Sequence, residues 1–131
     1  MARILCTLLA VLSLTALADE LHVGAVSYHF DRDDKWCESN PLLGYTSDEG
    51  VSGIVFRNSL CNWTAFFNRK YAFWEAGPVE LAARGGVYWS EEEYILGQEI
   101  GPAATLELTL FDKAVISYLG EAVSLHITHR Y

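Results

Sequence analysis

The chain has 131 residues, 51% hydrophobic and 13% aromatic, with 9 basic against 17 acidic side chains and a formal net charge of −8. That length makes one domain. The acidic balance excludes nucleic acid as a partner, because binding phosphate needs a basic surface.

Residues 1–18 place Arg3 ahead of an apolar run from Ile4 to Leu14 and end in Ala16-Leu17-Ala18, just before Asp19-Glu20. This is the order of a secretory signal peptide cleaved after Ala18. The apolar run is shorter than the ~20 residues a helix needs to cross a bilayer. Cys6 lies too early, and follows the wrong residues, to be a lipoprotein attachment site. The mature domain is then 19–131, and it keeps two cysteines, Cys37 and Cys61. Export to an oxidising compartment predicts a bridge between them, with two free buried thiols as the alternative. Neither has a histidine beside it in sequence that would activate it.

From residue 21 onward strand signals are nearly continuous and no helix is predicted. Aromatic and β-branched residues fill strands at 21–31, 41–47, 51–58, 62–75, 78–89, 102–111, 113–119 and 122–131. Asp48-Glu49-Gly50, Ala76-Gly77-Pro78, Phe111-Asp112-Lys113 and Gly120-Glu121 punctuate them. The last strand sets Val123, Leu125, Ile127, His129 and Tyr131 on one face and Ser124, His126, Thr128 and Arg130 on the other. Such alternation, apolar outward and polar toward a lumen, is the pattern of a transmembrane barrel strand.

The expected fold is therefore all-β, a single eight-stranded antiparallel up-and-down barrel. Short periplasmic turns fall at 48–50, 76–78 and 111–113, and the connections 32–40, 59–61, 90–101 and 120–121 face outward. With no other long apolar segment, a membrane location requires a closed barrel, which leaves no backbone amide unpaired in lipid. The second and seventh strands are shorter than the ~9 to 11 residues of a tilted membrane strand. That keeps a soluble periplasmic barrel open as an alternative. Trp36, Trp63, Trp74 and Trp89, with Tyr45, Tyr71 and Tyr88, supply either aromatic girdles or ordinary strand surface.

The candidate chemistry gathers at the outer ends of the first three strands. His29 closes the first, Arg57-Asn58-Ser59 closes the third, and Cys37 and Cys61 map to the same rim. A histidine within reach of a serine is the minimum for acyl transfer, the imidazole taking the hydroxyl proton as the oxygen attacks. Asn58 would hold the imidazole tautomer through its amide oxygen, or Asp31, Asp33 or Asp34 would supply a charge. A polar barrel rim is the alternative. Asp31-Arg32-Asp33-Asp34 lacks the glycine and downstream glutamate of a calcium loop. Glu91-Glu92-Glu93 reads as a solvated loop, and His22 and His126 have no ligand spacing. No metal and no cofactor are predicted.

His29, then Glu38-Ser39-Asn40-Pro41 with Gly44-Tyr45, then Gly53-Ile54-Val55-Phe56-Arg57-Asn58-Ser59 and Trp63, resembles the order of motifs in the lipid A palmitoyltransferases. The resemblance covers roughly 22–75 and extends to small phage and proteobacterial members that carry Asn-Ser at the same point. It implies an eight-stranded outer-membrane barrel whose partner is a membrane lipid or lipid A. In such enzymes a palmitoyl chain moves from a phospholipid to lipid A. Carried over by position, His29 becomes the base, Ser59 the catalytic hydroxyl, and Asn58 stands where the family has aspartate.

Three departures count against activity: Asn58 replaces the acid, the stretch from His29 to Ser59 is shorter, and there is no space for the family's N-terminal helix. On strand eight His126, Thr128 and Arg130 face inward, and strand six places Glu107 between Thr105 and Thr109. Side chains that plug the lumen are the default for so small a barrel. The expectation is a divergent, non-catalytic outer-membrane barrel of a bacterial or phage envelope. An active phospholipid:lipid A acyltransferase using His29 and Ser59 is one alternative, and a soluble periplasmic barrel binding a small apolar ligand is another.

Overall fold

A computed structural model describes residues 20–30, 36–119 and 122–131. The expected signal peptide and the candidate acids Asp31, Asp33 and Asp34 lie outside them. Eight strands run in chain order: β1 (Glu20–His29), β2 (Leu42–Thr46), β3 (Val51–Arg57), β4 (Trp63–Ala76), β5 (Val79–Ser90), β6 (Ile100–Leu110), β7 (Ala114–Leu119) and β8 (Ala122–Arg130). Each pairs antiparallel with its neighbours in sequence, and β1 pairs with β8 to close the barrel. This is the expected fold, with every strand within two residues of its predicted ends. β6 begins at Ile100 rather than 102 because the pairing Val87↔Pro102, Tyr88↔Gly101 and Trp89↔Ile100 carries the ladder through the proline.

Alternation decides which side chains enter the lumen. On β8, His126 and Thr128 are buried while Leu125, Ile127 and His129 are exposed. The outer surface is apolar around the circumference, with Val26, Tyr28, Val55, Phe67, Val87, Leu106, Leu125 and Ile127 all exposed. A soluble protein of this size rarely presents apolar surface on every side.

β1 carries a bulge that sequence alternation does not reveal. Val23 pairs with Ile127 and Ala25 pairs with His126, so Gly24 is an extra residue in the ladder, at φ +66°. One extra residue inverts the alternation that follows it. Glu20 and His22 point inward before the bulge, and His29 points inward after it. A left-handed backbone strains any side chain bearing a Cβ, and glycine relieves it.

The barrel is uneven at its long-loop end. β2 starts only at Leu42, so the upper half of β1 pairs instead with a strap at 36–41. The Ser27 amide donates to the Glu38 carbonyl, the Asn40 amide donates to the Ala25 carbonyl, and Val26 bridges Ser39. Across the barrel, β7 ends at Leu119. Its pairing with β6 stops at Leu106↔Tyr118, and β6 residues 100–105 extend beyond it.

Candidate functional site

The lumen is divided. Its short-turn half is filled by a polar network centred on Arg84, which is 1% exposed. Arg84 Nε donates to Glu107 Oε2 at 2.6 Å, and its Nη1 serves Ser52 Oγ at 2.9 Å with Thr46 Oγ1 and Asn68 Oδ1 at 3.1 Å. His22, without ligand spacing to His126 in sequence, meets it in space: His22 Nδ1 lies 3.2 Å from His126 Nε2, and its Nε2 lies 2.8 Å from Thr46 Oγ1. Below them Lys70 bridges Glu20 and Glu80, and Arg130 joins Glu80 to Asp112. Among the described residues no group of histidine, cysteine and acidic side chains could hold a metal.

The expectation of a lumen plugged throughout is corrected above this network. There the inward positions carry Leu42, Ile54, Phe56, Phe66, Ala103 and Leu119, and they enclose a cavity of about 120 Å³. The polar residues flagged from the sequence, Thr105, Glu107 and His126, form its lower limit rather than its filling. Polarity by residue type located the plug. It did not show that the polar layer occupies one half of the barrel, since that depends on strand register.

His29 and Ser59 both line this cavity. His29 is 3% exposed and lies face to face with Trp36, ring centroids 4.7 Å apart and planes within 5°. Among the described residues neither imidazole nitrogen, nor Trp36 Nε1, has a hydrogen-bond partner. Ser59 is hydrogen-bonded to Tyr94 rather than to His29. Burial pushes the Tyr94 phenol upward from its ordinary value, with the Ser59 hydrogen bond pulling the other way.

Asn58 is 1% exposed, and its side chain is committed elsewhere. Its Nδ2 donates to Thr64 Oγ1 at 2.9 Å and Ser90 Oγ at 3.1 Å, while its Oδ1 accepts from the Leu60 and Asn62 amides at 2.9 and 3.1 Å. The two accepted bonds fix the β3–β4 turn, which carries Ser59, and the two donated ones tie it to Thr64 of β4 and Ser90 of β5. Asn58 therefore shapes the rim and does not touch His29.

Two connections build the roof. Cys37 and Cys61 form the expected disulfide, Cα atoms 5.5 Å apart, which ties the strap carrying Trp36 to the β3–β4 turn. The Cys37 amide also donates to the Ser59 carbonyl, and Asn40 Nδ2 donates to the Arg57 carbonyl. The β5–β6 connection folds inward as a single 3-10 turn at Ile95–Gly97, and the Tyr88 hydroxyl lies 2.8 Å from the carbonyls of both Ile95 and Gln98. Tyr94 and Ile95 thereby cover the cavity, a role that nothing in their sequence context signalled.

The chain matches no protein-family profile, no curated protein and no solved structure.

Proposed function

We propose that this protein is an outer-membrane β-barrel that holds an acyl chain of an envelope lipid in the long-loop half of its lumen. The observation that carries this reading is the apolar cavity itself, inside a barrel that is also apolar outside. A hydrocarbon chain gains by burial there and meets no obligatory polar partner along the walls. The orphaned imidazole of His29 at the rim suits the ester or hydroxyl of the lipid to which the chain belongs. The stretch 100–105 of β6, paired with β5 but reaching beyond its pairing with β7, lies beside the cavity wall at Ala103, where a chain would enter sideways from the lipid phase.

Acyl transfer is a second reading, favoured by one observation: His29 and Ser59 face the same cavity. In it His29 accepts the Ser59 proton as the serine oxygen attacks the lipid ester carbonyl. The lipid oxygen leaves with that proton, and an acceptor hydroxyl later takes the acyl group from Ser59 by the reverse exchange. Ser59 must first release Tyr94.

The test is membrane fractionation with lipid mass analysis of envelopes expressing wild type, His29→Ala and Ser59→Ala at matched levels. Recovery in the outer membrane with lipids unaltered, and an acyl ester bound to the purified barrel, is the expected result. A gain of one acyl chain on an envelope lipid, abolished by both substitutions, would make the protein a transferase. Recovery in the soluble periplasm would overturn the membrane reading; the five residues of β2 and six of β7 make that fraction worth assaying.

A further inference from the structure

The lower end of the cavity differs in kind from its walls. Glu107 and His126 are each 4% exposed and line the cavity, as does Thr105. Each holds a buried polar atom with no hydrogen-bond partner among the described residues: Glu107 Oε1, His126 Nδ1 and Thr105 Oγ1. Their other bonds are made. Glu107 Oε2 takes the Arg84 Nε–H, and His126 Nε2 meets His22. The register explains why they gather. Thr105 and Glu107 lie two apart on β6, on one face; Glu107 pairs with Ser117 of β7, and Ser117 pairs with Ser124 of β8, two residues before His126.

A hydrocarbon terminus placed against these atoms would bury them for good without satisfying them, a standing cost for each. We infer that the cavity selects a chain whose buried end carries an uncharged hydrogen-bonding group, a hydroxyl being the simplest. A hydroxyl donates to Glu107 Oε1 and accepts from the Thr105 hydroxyl, with its second lone pair open to His126 Nδ1 in the tautomer that carries the proton there. A carboxylate end is excluded because it would be driven against the Glu107 carboxylate, whose charge Arg84 already engages on the other oxygen. The inference rests on the proposed acyl-binding reading and adds the chemistry of the chain's far end.

The experiment titrates the intact barrel, in micelles of a rigid steroid-based detergent that cannot enter the cavity, with methyl octanoate and with methyl octanoate bearing a terminal hydroxyl. Isotope-labelled Ile54 and Ile95 methyl groups, which line the cavity, report occupancy. The hydroxylated ester is expected to bind about tenfold tighter, the worth of one net hydrogen bond to a charged acceptor. Thr105→Val, which removes a hydroxyl that bonds nothing among the described residues, is expected to cut that preference several-fold. Thr109→Val is expected to leave it intact, since the Thr109 hydroxyl is equally unbonded but lies outside the cavity lining. Equal affinity for the two esters would overturn the inference and leave acyl binding standing. So would a preference that survives Thr105→Val. Binding of neither ester would overturn both.

Discussion

Trp36 covers His29 as a flat lid, ring planes within 5° and centroids 4.7 Å apart, at the rim of an apolar cavity. Trp36→Ala is therefore expected to open His29 to acylation by diethyl pyrocarbonate, read by mass spectrometry of the modified peptide. His22, fully buried in the polar network, serves as the internal control and should stay protected. If His29 is as protected in the variant as in wild type, the indole does not seal the rim.

The aim of His29 depends on Gly24. At φ +66° a β-branched side chain is strained by about 1–2 kcal/mol, and relieving that strain means removing the bulge, which would turn His29 toward the outside. Gly24→Val should lower barrel stability by about that amount and also expose the His29 ring to the same reagent. Gly24→Ala should do so more mildly. A Gly24→Val barrel of wild-type stability with His29 still protected would show that the bulge is not held by glycine.

How far the sequence reaches follows from these two elements. Strand number, order and boundaries were legible because period-two alternation and turn residues are local signals. The Cys37–Cys61 bridge was legible because only these two cysteines follow the expected signal peptide. The inward turn of His29 was not, since the bulge shows only as a glycine among small residues. Nor was the division of the lumen, because Glu107, Arg84, His22 and Ser52 meet only through the closed register of six strands. Asn58 illustrates the converse: its place beside Ser59 suggested chemistry, and its four hydrogen bonds hold the β3–β4 turn and anchor it to β4 and β5.

The disulfide fastens the roof, not the barrel. Cys37 and Cys61 are 24 positions apart, a loop whose cross-linking is worth about 3.5 kcal/mol in the chain-entropy account. Reduction, or Cys37→Ser with Cys61→Ser, should lower stability to denaturant by about that much while the far-ultraviolet β signal persists. It should also free the strap that carries Trp36, so that His29 reacts as it does in Trp36→Ala. Loss of the β signal on reduction would mean that the bridge holds the closure between β1 and β2 itself.

Arg84 and Glu107 form a buried ion pair at 2.6 Å, with side chains 1% and 3% exposed. Removing one partner of such a pair leaves a charge with no water and no counterion, which costs about 3–5 kcal/mol; replacing both with apolar groups is often neutral. Arg84→Leu should therefore be strongly destabilising in urea unfolding, since Thr46, Ser52 and Asn68 lose a shared donor as well. Arg84→Leu with Glu107→Leu should recover part of the loss, the remainder measuring those three neutral partners. A double variant as unstable as the sum of the two single ones would mean that the ion pair has no coupling of its own and that the guanidinium acts here chiefly as a hydrogen-bond hub.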